Sequence, residues 1–547
     1  MSYIDAFFDK KKDTIHVVER VDGKRKFKKY PAQYVFYYPS PNGRYTSTHG
    51  DALTRVTCNT YKKFNTEKRI HADKWLHESD VNTVFRCLAD NYQNQEAPSL
   101  NIGYFDIETD FNRTRGFAPP ADPFNKITAI ALHLNWLNKT VCLTIKPDGM
   151  SKSNAEDIVA KFSGNAILFD SEKEMLLTFL ELINDVDVLT GWNSSAFDIP
   201  YTINRIIQTL GADYAKGFCL WGQSPAKRQF ERYGKIQETY DIVGIQHLDY
   251  YDLYRKYTYQ EMHSYSLDAI SEHELGEKKV EYDGTLDQLY NNDYEKFIAY
   301  NIQDVDLIVK LDKKLQFIDL ANVIAHDNLV LLPTTMGSVA QIDQAIINEA
   351  HRRGLIVPDK ERSSKDSSVA GAYVAHPKKG LHEWIGSMDL NSLYPSIIRS
   401  LNMSPETLVG QIRQDYTREY LSHAMEVEDK GLAEAWEGKF GSLEYQLVTE
   451  KDRSKKMYID FSDGGVARGT GAEIYQMIFS ENSTWMLSAN GTIFSTQTAG
   501  LIPGLLDRWY SERKDLQQKA KSFKGVDAEK FKFWDKRQLV RKIMLNS

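Results

Sequence analysis

The stretch Phe105-Asp106-Ile107-Glu108 limits this chain's fold more than any other. It sits in an apolar run, Ile102 to Glu108, that reads as a β-strand. Strand side chains alternate between faces, so Asp106 and Glu108 project from one side while Phe105 and Ile107 enter a core. Two carboxylates packed this closely repel each other unless a divalent cation sits between them. Taken alone, the pair is more simply an edge strand with a solvated acidic face.

The surrounding pattern is α/β. Strands are expected at Ile127–Leu134, Thr140–Ile145 and Val186–Thr190, and a helix from Ser171. Ser171 and Glu174 form a capping box before Met175, Leu176, Phe179 and Leu182. A second helix carries Phe297, Ile298, Ile302, Val305 and Val309 at helical spacing. Two further carboxylates belong to these elements. Asp198 follows Phe197 in GWNSSAFD, at the end of a buried strand. Asp304 lies on the second helix one turn after Tyr300, so both point the same way. Four carboxylates from two strands and a helix are the usual construction of a two-metal phosphodiesterase site, where a nearby phenol orients the water or the phosphate.

Composition sets the frame. A chain of 547 residues, 42% hydrophobic and 26% charged, is expected to form three or four domains with large cores. Disordered, collagen-like and disulfide-stapled classes are excluded. No run approaches the ~18 apolar residues of a membrane span, and the opening MSYIDAFFDKKKD is too charged for a signal peptide. Cys58, Cys87, Cys142 and Cys219 are scattered without a CxxC pair, which fits a reducing cytoplasm and indicates neither disulfides nor zinc.

Residues 507–547 hold 12 Lys or Arg against 6 Asp or Glu, so this segment carries +6 while the rest carries −13 of the net −7. A basic segment on an acidic body suits a polyanion partner, and equally a solvated helical face. The patch Lys24 to Tyr30 fits either an exposed strand or a nucleic-acid surface. Tyr34 to Tyr38 reads as a strand, Ser363–Ser368 as a linker, and Trp384 to Leu390 as a strand that ends in an acidic residue. Asn490-Gly491 marks a tight hairpin, and Leu505–Lys521 and Lys530–Ser547 two basic helices.

The wording of Phe105-Asp106-Ile107-Glu108, Asn193-x3-Phe197-Asp198 and Tyr300-x3-Asp304 resembles the three exonuclease motifs of family B DNA polymerases. Asp389-Leu390-Asn391-Ser392-Leu393-Tyr394-Pro395-Ser396 resembles that family's polymerase motif A, and Lys542-x3-Asn546-Ser547 resembles the start of its motif B. Glu512-Arg513-Lys514-Asp515 is similar to its fingers helix. There the family often places a Lys four residues after the Arg, where this chain has Gln517. Val369-Ala370-Gly371-Ala372 stands where the family commonly shows YxGG or YxGA. Ser264 to Tyr282 gives the resemblance a flavour of the large tailed bacteriophages.

The resemblance implies an α/β and α+β multidomain chain. Its expected parts are an N-terminal domain (1–99, with 317–360 packing back on it), a ribonuclease-H-like 3′→5′ exonuclease (100–316), a partial palm with an insertion (361–498) and truncated fingers (499–547). It implies that Asp106, Glu108, Asp198 and Asp304 bind two Mg²⁺ or Mn²⁺ ions with Tyr300 assisting. Asp389 and the Leu390 carbonyl would bind Mg²⁺ at the polymerase site. Ser392, Leu393, Tyr394, Arg513, Lys542 and Asn546 would hold the incoming nucleotide. DNA and dNTPs are the implied substrates, a sliding clamp and a single-strand-binding protein further partners, and a bacterial host's cytoplasm the location.

The sequence ends within motif B, before the aspartate motif that supplies the second polymerase carboxylate. A C-terminal half arriving as a separate chain and a truncated gene both account for this. Extension of primers is therefore expected only with that missing part. Two rivals stand beside this reading: a free-standing exonuclease remnant, and a non-catalytic nucleic-acid-binding protein acting through the 24–30 patch.

Overall fold

The computed structural model describes residues 2–232, 234–258, 260–360, 376–390, 392–414 and 456–546, together with 422, 423 and 427. The expected linker at 363–368, the Val369–Ala372 segment, Asn391 and Ser547 lie outside them. Two compact units are present, residues 1–34, 57–65 and 81–344, and residues 35–56, 66–80 and 345–547.

The first unit opens with an antiparallel sheet of β1 (Ser2–Asp9), β2 (Thr14–Val21) and β3 (Lys24–Pro31). The basic patch of residues 24–30 forms β3, with Lys24, Lys26, Phe27 and Lys29 exposed. Arg25 instead turns inward onto Asp187, which is fully buried and also takes a bidentate pair from Arg20 at 2.6 and 2.7 Å. The strands β4 (Tyr34–Pro39), β5 (Tyr45–Ser47) and β6 (Ala52–Cys58) fall mostly in the second unit.

A six-stranded mixed sheet dominates the first unit. Its members are β7 (Ile102–Thr109), β8 (Ile127–Leu134), β9 (Lys139–Ile145), β10 (Ala166–Phe169), β11 (Val188–Thr190) and, after an intervening hairpin, β14 (Gln246–His247). The order is β10-β9-β8-β7-β11-β14, with β7, β8 and β9 antiparallel and β11 and β14 parallel to β7. The hairpin is β12 (Ala226–Arg232) with β13 (Lys235–Asp241).

All eight positions of β8 are buried, so helices cover both faces of the sheet. On one face Phe105, Ile107, Ile130 and Leu132 pack with Met175, Leu176 and Phe179 of α1 (Glu172–Leu182) and Ile199 and Ile203 of α2 (Asp198–Thr209). Ser171 caps α1 by accepting the Glu174 N–H at 3.4 Å. Next along the chain come α3 (Tyr250–Tyr257) and α4 (Leu267–Leu275). The opposite sheet face lies under α5 (Tyr294–Leu315), whose Tyr294, Phe297 and Ile298 cluster with Ala129 and Cys142. The register sets Ala131 beside Asp106 and Ala129 beside Glu108, and these small side chains leave room for α5 over the carboxylates.

In the second unit β4, β5 and β6 form a sheet with β15 (Leu355–Ile356). A five-stranded sheet is built from β16 (Leu408–Gln414), β17 (Lys456–Phe461), β18 (Val466–Thr470), β19 (Trp485–Leu487) and β20 (Thr492–Ser495). The Asn490-Gly491 turn joins β19 to β20 as expected, with Gly491 at φ +82°. The unit's helices include α6 (Leu393–Ser400), α7 (Leu501–Phe523) and α8 (Ala528–Asn546), the last two matching the expected basic pair.

One expected strand does not form. Residues 384–390 have no regular structure, and Trp384 and Met388 are 99% and 93% exposed. No described strand runs beside them, and a lone strand leaves its backbone groups without partners.

Candidate active site

Strand alternation brings the first two carboxylates together, and the covering helix supplies the third. Oxygen atoms of Asp106, Glu108 and Asp304 lie within 4.8 Å of one another. Asp304 is buried near the middle of α5, and its Oδ1 has no hydrogen-bond partner among the described residues. Asp106 accepts a hydrogen bond from Asn301 Nδ2, one turn before Asp304 on the same helix, at 2.9 Å.

Asp198 reaches the same place from a different element than expected. It is the first residue of α2 rather than the end of a strand, because β11 stops at Thr190 and a seven-residue loop follows. Its Oδ1 accepts the Ile107 N–H at 3.1 Å, which fixes it between Asp106 and Glu108 along β7. The helix starts after Phe197 without a side-chain cap, so no capping signal marked its start.

The carboxylates raise one another's proton affinity. Burial pushes Asp106 well above the ordinary range, and Glu108, Asp198 and Asp304 add to it. Glu108 shifts the same way through burial and Asp304. Burial takes Asp198 up to about 7 against the pull of the Ile107 N–H. Such crowding of oxygen donors, with an orphaned buried oxygen on Asp304, is the donor chemistry that fits a hard divalent cation.

Lys279 is a site residue that sequence reasoning missed. Its ammonium donates to Asp304 Oδ2 at 2.5 Å and to the Tyr300 hydroxyl at 3.1 Å. Its backbone N–H is held by Asp268 of α4 at 2.8 Å, just past the left-handed Gly276 that ends that helix. Burial works against the lysine's charge, but Asp304, Tyr300 and Asp106 outweigh it and raise its affinity for the proton. Its only signal was its place in the Lys278-Lys279 pair of the Ser264–Tyr282 stretch. A cleft of about 690 Å³, lined by Lys278, Lys279, Tyr282, Lys296 and Tyr300 together with the carboxylates of Asp268, Glu281 and Asp283, opens beside these groups.

The other expected residues sit in the second unit. Asp389 and Leu390 lie in the exposed, irregular segment. Ser392 precedes α6 in the left-handed region at φ +52°, and Tyr394 on α6 is 65% exposed. Leu393 is exposed as well, at the first position of that helix. Arg399 of α6 pairs with Asp507 of α7 at 2.5 Å and lies over the Tyr510 ring, which ties the two helices. Arg513 on α7 faces Gln538 of α8, at 3.5 Å, and Asn546 Nδ2 donates to the Lys542 carbonyl within α8. Among the described residues no metal-type cluster includes Asp389, and no hydrogen bond or ion pair joins it to Arg513 or Lys542.

Similarity to known proteins follows the same division. A sequence model of the DNA polymerase family B exonuclease domain matches residues 55–270, and one of DNA polymerase family B matches residues 332–547. The DNA-directed DNA polymerase of Enterobacteria phage T4 is 35% identical over 256 residues, covering 46% of this chain and 28% of the phage protein. That of Escherichia phage RB69 is 35% identical over 260 residues, covering 47% and 29%. DNA polymerase 1 of Aeropyrum pernix is 26% identical over 427 residues, covering 74% and 41%. In each case the match spans well under half of the relative's length. With two models of one family matching about four-fifths of its residues between them, the chain belongs to the family B DNA polymerases.

Proposed function

We propose that this chain carries a 3′→5′ proofreading exonuclease together with the first part of a replicative DNA polymerase site. The observation that carries the exonuclease reading is the convergence of Asp106, Glu108 and Asp304 within 4.8 Å beside Lys279 and Tyr300. The sheet order, with β7, β8 and β9 antiparallel and β11 joined parallel to β7, supports a ribonuclease-H-like exonuclease domain over residues 100–316. Residues 1–99 with 317–360, 361–498 and 499–547 are then the N-terminal, partial palm and fingers portions.

Asp106, Glu108, Asp198 and Asp304 would hold two Mg²⁺ or Mn²⁺ ions, which supply Lewis acidity and charge neutralisation in phosphodiester hydrolysis. The protein's own part is positional. Asn301 holds the Asp106 carboxylate, the Ile107 N–H holds Asp198, and the Tyr300 hydroxyl faces the cleft where a terminal phosphate and its attacking water would sit. The Lys279 ammonium offers the scissile phosphate a cation once Asp304 is engaged elsewhere. Water adds to phosphorus, the bond to the 3′ oxygen breaks, and a deoxynucleoside monophosphate leaves. Purified chain with Mg²⁺ should shorten a 5′-labelled single-stranded oligonucleotide from its 3′ end. Failure to do so, or unchanged activity after Glu108→Ala, sinks this reading.

The polymerase reading rests on Asp389, Leu390, Ser392, Leu393, Tyr394, Arg513, Lys542 and Asn546 in their motif order. The exposure of Trp384, Ile385, Met388 and Leu390 supports a further palm portion, bearing the aspartate motif, that covers this segment. DNA, dNTPs and Mg²⁺ are the implied ligands. Primer extension by this chain alone would overturn the need for that portion.

A further inference from the structure

The tip of the β12–β13 hairpin is fastened to the loop that delivers Asp198. Arg232 ends β12, next to the turn, and is 9% exposed. One arm of its guanidinium donates to the Asn193 side-chain oxygen, and the other reaches both oxygens of Asp252 at 2.6 Å. Asp249 lies 3.5 Å from the same guanidinium. The plane of Arg232 is stacked near Phe230 of the hairpin and Tyr251 of α3, 5.3 and 4.9 Å from their ring centres.

Asp249 organises the other side of this junction. Its two oxygens accept the N–H groups of Asn193 at 2.9 Å, Ser195 at 3.0 Å and Tyr251 at 3.0 Å, so one buried carboxylate caps α3 and pins the loop. Asn193 itself holds a left-handed conformation, φ +63°, which asparagine tolerates better than most residues with a side chain. The loop then passes through hydrogen bonds from Ala196 to Asn193 and from Ile199 to Ser194 into α2, whose first residue is Asp198. Only four residues lie between the Arg232 contact at Asn193 and the carboxylate that sits on Ile107.

We propose that Arg232 is a positioning residue for the exonuclease, joining the hairpin tip to the Asn193–Asp198 loop so that the two move as one piece. This rests on the exonuclease reading above. A guanidinium is suited to the task, since its fixed fork serves Asn193 and Asp252 at once, whereas an ammonium is a point donor. On the far side of the turn Ile236 is 73% exposed, so the hairpin has one open face and one face fastened to the loop. Displacing the tip would therefore pull on Asn193 and, through it, on the seat of Asp198.

The test compares Arg232→Met and Arg232→Lys with the wild-type chain. For Arg232→Met we expect kcat for single-stranded DNA with Mg²⁺ to fall at least tenfold while KM for the oligonucleotide changes less than threefold. Arg232→Lys should recover only part of the loss. Amide hydrogen exchange of residues 191–198 should quicken at least tenfold, with the 127–134 amides of the central sheet unchanged as the control for folding. A double-mutant cycle of Arg232→Met with Asn193→Ala should be strongly non-additive. Unchanged exchange across 191–198 overturns the proposal whatever the nuclease result. Quickened exchange in a wild-type background that releases no nucleotide would instead condemn the exonuclease reading and leave the mechanical link standing. A loss of kcat that is fully additive with Asn193→Ala also overturns it.

Discussion

Replacing Asp106 with Asn should make the metal-free protein more stable while destroying its nuclease activity. Three carboxylate groups lie within 4.8 Å of one another, and at an effective dielectric constant of about 20 each ionised pair at that distance repels by roughly 3 kcal/mol. Burial and this repulsion already raise the proton affinities of Asp106 and Glu108, so part of the strain is relieved by proton uptake. A net gain of roughly 1–3 kcal/mol is left for Asp106→Asn, and an asparagine oxygen can still accept from Asn301. In EDTA the variant should melt several degrees higher than wild type by differential scanning calorimetry. Adding Mg²⁺ to 100 times its dissociation constant should raise the wild type by about 2.7 kcal/mol and the variant by much less. The activity assay should show no 3′-end shortening by the variant. A variant that is less stable than wild type in EDTA, or that responds to Mg²⁺ as strongly, would refute the claim that these oxygens form a cation site.

Other consequences are as direct. Lys279 and a cation would compete for Asp304, so Lys279→Met should lower the half-saturating Mg²⁺ concentration while reducing kcat at least tenfold; a rise in the Mg²⁺ requirement contradicts this. Asp187 is fully buried between Arg20 and Arg25, and Asp187→Ala leaves their guanidinium groups only the half-exposed Asp185 and backbone carbonyls. Its urea midpoint should therefore fall by the equivalent of about 3 kcal/mol, and a loss under ~1 kcal/mol would show the pair to be dispensable. Burial raises Asp5 from its ordinary value of 3.8 to about 7. Its neutral form is therefore favoured in the fold: its contribution is best below the unfolded value, declines as pH rises between about 4 and 7, and is flat above. Asp5→Asn, which keeps an acceptor for the Gly244 N–H, should remove that decline from a pH series of unfolding curves. An identical slope in wild type and variant would assign the pH dependence elsewhere.

The period-two and period-3.6 patterns made most of the sheet and its covering helices legible, since Phe105, Ile107, Phe297 and Ile298 carry the core in their spacing. Asp106, Glu108 and Asp304 were legible for the same reason, as strand and helix geometry alone orient them. Lys279 was not, because it meets Tyr300 and Asp304 only through the turn after α4, a relation with no local signature. The β12–β13 hairpin was missed likewise: β12 is rich in charged, exposed residues and lacks apolar alternation. The expected strand at 384–390 erred the other way. Apolar character was present, but a strand is a property of a pair, and no described neighbour supplies the second member.

Gly191 bears on how such a site can change over evolutionary time. A Cβ at this position would lie 2.6 Å from the carbonyl oxygen of Phe105, the residue just before Asp106, so the loop and β7 touch backbone to backbone. Any side chain there would have to part them, shifting Asp106 and the approach to Asp198 in a single event. The common origin from which these carboxylates are spaced is thus closed to gradual adjustment. Variation in the geometry of the site must enter through α5 and the turn bearing Lys279, where each step moves one group at a time.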